Sequence, residues 1–268
     1  MAAGHTHILC MPNTAALPHS AHDSSVRNLD NPSFEFQITL KMSTPVYLRP
    51  AHPLDAPKLA ALHTSAFSSN KLMRAIYPTP QIWTAFQSAV EKKMVADMYD
   101  DHTTVMVAVA KRVASEAGAE REAALLEIGK GDEIVGFAVW IHPTPSKEGF
   151  IPPAWNLPEG TDWGVLGPWK DAAEKVASDV IGESRHYELS WLAVAPQCAR
   201  RGVGTMLLRW GLDACEREHV PVYLDSTVDA AENFYRKAGF VEKGRIKLMV
   251  RGGMYEEVAC LYDPKGSN

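Results

Sequence analysis

A glycine turn at residues 200–205 constrains the fold of this chain more than any other feature. The turn reads Arg-Arg-Gly-Val-Gly-Thr and separates an apolar run at 189–194 from an amphipathic segment that begins at 205. The run predicts a strand, and the helical spacing of apolar residues in the segment predicts a helix. A helix that begins at a glycine turn offers unpaired backbone N–H groups to an anion. Because glycine has no side chain, the anion can approach this backbone closely. With two arginines beside it, the turn predicts a pyrophosphate site.

Two familiar phosphate-binding patterns do not fit this turn. A nucleoside-triphosphate loop requires Gly-Lys-Ser/Thr, which does not follow these glycines. A dinucleotide loop requires a third glycine, and Leu207 occupies that position. The sequence therefore favours another class of phosphate-containing ligand.

A second motif follows the turn at the spacing of a known family. Residues 231–240 read Ala-Glu-Asn-Phe-Tyr-Arg-Lys-Ala-Gly-Phe and come after a short strand pattern at 222–225. This segment resembles the A-x-N-F-Y-x-x-x-G-F segment of the GNAT superfamily of N-acetyltransferases, with Gly239 just past the helix end. The turn itself resembles that family's R/Q-x-x-G-x-G/A coenzyme A loop, except that Ala199 occupies the first position. The resemblance is specific over residues 187–240.

The resemblance implies a fold and a co-substrate. The expected fold class is α/β (α+β), with a mixed, mostly antiparallel central sheet and helices on both faces. The expected co-substrate is acetyl-CoA, with no metal. The resemblance assigns its binding to the central strand, the turn and one helix residue: Leu192, Ala193, Val194, Arg200, Arg201, Gly202, Val203, Gly204, Thr205 and Asn233.

Two residues carry the catalytic roles that the resemblance implies. Tyr235 matches the family's general-acid tyrosine, and Glu188 matches the glutamate base of some members, including the histone-type acetyltransferases. The Val194 N–H is the candidate oxyanion donor. Simple alternation along the strand places Glu188, Ser190, Leu192 and Val194 on one face. Other interpretations stay open: Tyr235 as a packing aromatic, Glu188 as a strand-edge carboxylate paired with Arg185 or a lysine, and His186 or His142 as the base.

Outside these motifs, the chain divides into a tail, a domain and an insertion. Residues 1–41 have little periodicity and predict a disordered tail, and residues 42–268 predict one acetyltransferase domain. A proline- and tryptophan-rich insertion covers 142–184, with a helix predicted over 169–181, and 111–132 predicts an exposed hairpin extension. The other predicted elements are strands at 46–49, 103–110, 133–141, 245–250 and 255–262 and helices at 55–66 and 79–98.

Composition excludes several classes of protein. A net charge of −5 argues against a nucleic-acid partner. The four cysteines are scattered without metal or disulfide spacing, which predicts reduced thiols and a cytoplasmic protein. Cys198 lies beside the turn but has no candidate base, so no nucleophilic role is expected. No apolar run of membrane-spanning length occurs, so no membrane association is expected.

Three functions follow from these observations. The first is N-acetylation of a primary amine of a small molecule by direct transfer in a ternary complex, by a monomer or homodimer. The second is acetylation of protein lysines or N-termini. The third is a non-catalytic acyl-CoA-binding module. The acceptor side is expected near 67–78, with Trp155 and Trp163 either lining it or forming the core of the insertion.

Overall fold

The computed structural model describes residues 45–111, 132–143 and 155–264. The predicted tail, most of the predicted hairpin extension and part of the insertion lie outside these ranges. A seven-stranded sheet in the order β1-β2-β3-β4-β5-β7-β6 organises the described chain. Its strands are β1 (Val46–Pro50), β2 (Thr103–Ala110), β3 (Glu133–Ile141), β4 (Tyr187–Val194), β5 (Val222–Thr227), β6 (Val241–Val250) and β7 (Gly253–Tyr262).

All neighbouring strands are antiparallel except β4 and β5, which are parallel. The mixed, mostly antiparallel sheet predicted above is confirmed. The pairing of β4 with β5 covers only Tyr187 with Val222 and Glu188 with Tyr223. Beyond Glu188, β4 pairs only with β3, while β5 continues beside β7. A gap therefore opens between β4 and β5 along the carboxyl-terminal half of β4.

Helices cover both faces of the sheet. The helices are α1 (Ala56–Ala66), α2 (Lys71–Ile76), α3 (Pro80–Met98), α4 (Trp163–Val180) and α5 (Val203–Glu218). The first face packs against α5 and the second against α1 to α4. None of the helices in the described part of the chain is both long and apolar enough to cross a membrane.

Local sequence explains where several helices begin. Asn70 caps α2 by accepting a hydrogen bond from Met73 N at 2.9 Å, and Thr79 caps α3 by accepting one from Ile82 N at 3.3 Å. Pro80 then occupies the first position of α3, where its missing N–H costs nothing. The predicted helix over 79–98 is therefore confirmed, whereas α2 was not predicted.

The insertion contributes a longer helix than expected. The sequence predicts a helix over 169–181, but α4 begins at Trp163 and runs through Pro168. The proline ring removes one hydrogen bond to the carbonyl four residues earlier, which belongs to Gly164 in the first turn. Packing of Trp169, Ala173 and Ala177 in the core stabilises the rest of the helix.

Candidate active site

The glycine turn forms the amino terminus of α5, as the sequence predicts. Gly202 caps the helix with a φ of 83°, a left-handed conformation that glycine adopts without strain. Met206 N donates to Gly202 O at 2.9 Å, so helical hydrogen bonding starts there. The first N–H groups of a helix have no intrahelical acceptor, and the helix dipole favours an anion beside them. Arg200 and Arg201 are exposed next to this terminus.

Gly204 lies where three elements meet. A Cβ at this position would lie 3.4 Å from Phe234 Cζ and 3.6 Å from Val194 Cγ2. The turn therefore lies against the end of β4 and against the 231–240 motif. The two motifs that carry the family resemblance are thus in contact through Gly204, Val194 and Phe234.

The backbone of β4 faces the gap between β4 and β5. Ala195 N donates to Val135 O at 2.8 Å, so the Ala195 N–H points toward β3. Because N–H directions alternate along a strand, the N–H groups of Val194 and Leu192 point the other way. On that side β5 has diverged, which leaves these groups directed into the gap. Ala193, between them, pairs with Phe137 on β3.

A β-bulge in β4 changes the face on which Glu188 lies. Val139 pairs with Trp191 and Trp140 pairs with Leu189, so Ser190 is the extra residue. Leu189 therefore packs in the same core cluster as Leu192 and Val194. Glu188 points to the opposite face, and the alternation that placed it with Leu192 and Val194 is wrong. Trp191 also lies on the second face, opposite its neighbour Leu192.

Glu188 is buried on this second face at the base of the gap. Its side chain is 7% exposed, and Ser190 Oγ donates to its Oε1 at 3.3 Å. Its partner on β5, Tyr223, donates to Asp225 Oδ1 at 2.6 Å. Burial is the main cause that raises the pKa of Tyr223, and the charges of Asp225 and Glu188 add to it. Two carboxylates therefore lie close to one phenol here.

Tyr235 lies in three short helical turns that follow β5: α-helical Val228–Ala230, π-helical Ala231–Tyr235 and 3₁₀ Arg236–Ala238. The side chain is fully buried on the first face, with ring centroids 4.9 Å from Phe234 and 5.5 Å from Phe240. Gly239 ends the turns with a φ of 95°, as predicted. Tyr235 and Glu188 thus approach from opposite faces of the sheet.

The remaining predicted positions are spread around the turn. Thr205 is exposed on the first turn of α5, and Val203 is buried beneath it. Asn233 is exposed, and its Nδ2 donates to Asp229 Oδ1 at 2.9 Å. Cys198 is buried, and burial raises the pKa of its thiol, which disfavours a nucleophilic thiolate. In the described part of the chain, no group of three His, Cys, Asp or Glu residues could hold a metal ion.

The two other candidate bases lie at the far end of β4. His186 is half-buried, and its Nδ1 lies 2.6 Å from Ser184 O. His142 Nε2 lies 2.8 Å from Thr104 Oγ1, and burial is the main cause that lowers its pKa. Neither contact involves a residue of the gap.

The predicted acceptor side forms a cluster of rings over β4. Phe67, Tyr77 and Trp155 pack with Phe86 on the second face, and the rings of Tyr77 and Phe86 are stacked with centroids 3.9 Å apart. Trp163, by contrast, is 64% exposed at the start of α4. His63 on α1 also belongs to this cluster, with its ring centroid 4.6 Å from that of Trp191. The sequence gives no signal for a role of His63 beyond core packing, because it lies on an apolar helix face.

The fold and the glycine turn together are those of an acyltransferase, as a comparison with known families shows. Residues 83–240, more than half of the chain, match the model described as the Acetyltransferase (GNAT) family. The chain therefore belongs to the GNAT family of acetyltransferases.

Individual relatives agree with this assignment. A probable acyltransferase, SID5 of Ajellomyces capsulatus, is 43% identical over 86 residues, which cover 32% of this chain and 61% of the relative. The match therefore spans less than two thirds of that relative. Among solved structures, a histone acetyltransferase HPA2 and related acetyltransferase from Corynebacterium glutamicum is 22% identical with a TM-score of 0.51, covering 83% of this chain and 97% of that chain. At this identity the likeness concerns the fold.

A structure of Arabidopsis thaliana NAA60 in complex with acetyl-CoA is also similar. It is 16% identical with a TM-score of 0.45, covering 83% of this chain and 100% of that chain.

Proposed function

We propose that this protein is an acetyl-CoA-dependent N-acetyltransferase that acts on a primary amine of a small molecule. The observation that carries the proposal is the close approach of Gly204 to Val194 and Phe234, which leaves room for little more than a Cβ between them. It joins an anion-binding helix terminus to a strand whose Leu192 and Val194 N–H groups face the gap between β4 and β5. A ligand with a pyrophosphate at one end and an extended amide-containing arm at the other fits this arrangement.

In the proposed binding mode, the N–H groups at the start of α5 hold the pyrophosphate, and Arg200 and Arg201 supply positive charge. The backbone of Leu192 and Val194 hydrogen-bonds the arm within the gap, while Ala193 between them pairs with Phe137 on β3. Asn233 is exposed beside the turn and supplies a further polar contact. The thioester then lies along β4 in the gap, which side chains can approach from both faces of the sheet.

The proposed reaction is direct transfer in a ternary complex. The amine nitrogen attacks the thioester carbonyl carbon, the new C–N bond forms, and the C–S bond breaks. Glu188 accepts the amine proton directly or through water, and Tyr235 gives a proton to the departing thiolate. The Val194 N–H stabilises the developing oxyanion. Approach of base and acid from opposite faces keeps the two proton transfers apart.

Thermal unfolding with acetyl-CoA, CoA, ATP and NAD tests the binding step. A ligand at about a hundred times its dissociation constant adds roughly 2.7 kcal/mol of stability, which raises the midpoint by several degrees for a domain of this size. We expect a shift with the two CoA species only, and a smaller shift for the variant Arg200→Ala/Arg201→Ala. The matched control is Lys175→Ala, which removes an exposed cation on α4. Equal shifts with ATP or NAD would reject the proposed ligand.

Thiol release from acetyl-CoA over separate panels of small amines and peptides tests the transfer step. Release with small amines supports the proposal, and release with peptides alone would identify a protein acetyltransferase instead. Tight binding of acetyl-CoA without release on either panel would identify a non-catalytic module.

A further inference from the structure

Three rings with polar nitrogen atoms meet on the second face of the sheet, beside the gap. Trp191 of β4 lies at the centre, with its ring centroid 4.6 Å from that of His63 and 5.6 Å from that of Trp155. His63 comes from α1, and Trp155 comes from the insertion. We call His63, Trp155 and Trp191 the donor cluster.

Three nitrogen atoms of the donor cluster are buried and lack a hydrogen-bond partner in the part of the chain that the structure describes. Trp191 Nε1, Trp155 Nε1 and His63 Nδ1 have no hydrogen-bond partner among the described residues. Trp191 and His63 are each 1% exposed. Buried polar groups in native proteins are nearly always hydrogen-bonded, so three such atoms in one cluster call for a functional explanation. A ligand atom that accepts hydrogen bonds supplies one.

The donor cluster lies on the same face of the sheet as Glu188, the proposed base. The bulge at Ser190 places Trp191 on the same face as Glu188, the proposed base. Trp191 is also one residue from Leu192, whose N–H is directed into the gap. An amine that approaches Glu188 from this face therefore comes in on the same side of the sheet as the indole of Trp191.

The charge of the cluster limits what it can hold. Burial lowers the pKa of His63 to about 3, so the imidazole is neutral at physiological pH. The two indoles carry N–H donors and no charge. Neutral donors in an apolar setting suit a neutral oxygen, because burying a carboxylate without a cation is costly. Trp155 is the most exposed ring of the three, so entry past it needs the least rearrangement.

We infer that the acceptor amine carries a neutral hydrogen-bond-accepting oxygen, such as an amide carbonyl, and that Trp191 and Trp155 bind this oxygen through their indole N–H groups. This inference rests on the proposed function, because it names the substrate class of that same site. It makes Trp191 and Trp155 specificity-determining residues. The amine nitrogen then points toward Glu188 and the oxygen toward the donor cluster.

Pairs of primary amines matched in shape, with and without the oxygen, test this inference. Phenylalaninamide and phenethylamine form one such pair. Because the two amines differ in basicity, the measured quantity is the ratio of their kcat/KM values in each variant relative to the ratio in the unaltered protein. The variants are Trp191→Phe and Trp155→Phe, which remove the N–H and keep an aromatic ring.

Trp140→Phe is the matched control. Trp140 is fully buried and its Nε1 also has no partner among the described residues, but it lies on the first face against α5. We expect the unaltered protein to prefer the oxygen-bearing amine. We expect Trp191→Phe to reduce that preference about fivefold to tenfold, mainly by raising KM for that amine. Trp140→Phe should leave the preference unchanged.

The outcomes separate this inference from the proposed function. Turnover without preference for the oxygen, or a preference that survives both Trp191→Phe and Trp155→Phe, overturns the inference and leaves the acetyltransferase activity in place. An equal change in Trp140→Phe overturns it as well, since the effect would then come from packing. No thiol release with any amine rejects the proposed function itself.

Discussion

Gly211 of α5 lies directly against the indole of Trp140 on β3. A Cβ on Gly211 would lie 2.3 Å from both Cε2 and Cζ2 of that ring, far inside contact distance. The absence of a side chain at this position therefore sets how closely α5 approaches the sheet. Because α5 carries the glycine turn at its amino terminus, this contact in the middle of the helix also fixes the turn relative to β4.

Gly211→Ala is expected to lower the free energy of unfolding by about 2 kcal/mol, because overpacking outweighs the gain in helix propensity. Gly204→Ala in the same helix is the control, since its new methyl group would make only ordinary contacts. We expect that control to be as stable as the unaltered protein, or more so. Denaturant unfolding measures both, and equal stability of the two variants would contradict the packing argument.

Lys93 and Asp97 form a buried ion pair one turn apart on α3, with side chains 7% and 4% exposed. Asp97→Asn leaves the ammonium buried without its counter-charge, which should cost about 3–5 kcal/mol of stability. The double variant Lys93→Met/Asp97→Leu removes both charges. Its free energy of unfolding should fall by less than that of Asp97→Asn alone. Denaturant unfolding of the variants checks the order, and a double variant less stable than the single would refute it.

His63 makes the stability depend on pH. Burial lowers its pKa to about 3, below the ordinary value of about 6.5. As the pH falls below about 6.5, the unfolded chain binds a proton that the folded protein does not. The free energy of unfolding therefore decreases as the pH is lowered. The contribution lost between pH 7 and pH 5 is about 2 kcal/mol.

The variant His63→Phe should lose this part of the pH dependence. The comparison is the difference in unfolding free energy between pH 7 and pH 5, measured by denaturant titration. His219→Asn is the control, because His219 is exposed and its left-handed backbone is tolerated by asparagine. An unchanged difference in His63→Phe would show that His63 titrates alike in both states.

Glu188→Gln should lower turnover by about 10²-fold or more while acetyl-CoA binding persists, because the amide cannot accept the amine proton. Raising the pH should recover part of the activity, since more of the amine is then deprotonated in solution. Thiol release and thermal shift measure the two properties. Glu232→Gln, at an exposed site, is the control, and full activity of Glu188→Gln would remove this residue from the mechanism.

Tyr235→Phe should likewise lower turnover, by about 10²-fold, without loss of acetyl-CoA binding, because only the proton donor is removed. Tyr262→Phe provides a comparison, since Tyr262 donates instead to Glu216 Oε1 at 2.5 Å. Pre-steady-state thiol release reports the step directly. Normal release from Tyr235→Phe would leave this residue a purely packing aromatic.

Sequence patterns located most strands and both motifs, because apolar runs and glycine turns are local signals. The strands at 103–110 and 133–141 have the predicted bounds. The sequence does not predict the short helix α2, because six residues are too few to show helical periodicity of apolar residues. Its capping residue, Asn70, is the one local signal of a helix start. The sequence does not predict the first six residues of α4, from Trp163 to Pro168, because a proline is typical of a helix boundary.

The face of the sheet on which Glu188 lies could not be predicted for a different reason. Alternation assumes a regular strand, and the bulge at Ser190 depends on the pairing of β4 with β3, which no local pattern encodes. The same bulge puts Glu188 on the face of Trp191, so the position of the donor cluster on the side of Glu188 was also hidden from sequence. Contacts that need two distant segments to be in register are the ones that local reasoning misses.

Only two residue pairs join β4 to β5, yet they carry the continuity of the whole seven-stranded sheet. The sheet therefore consists of a four-stranded half and a three-stranded half connected through a narrow hydrogen-bonded bridge. Amide exchange should be independent in the two halves when the gap is open, because opening either half breaks few bonds of the other. An extended ligand arm bonded to both strands would make exchange in the two halves cooperative.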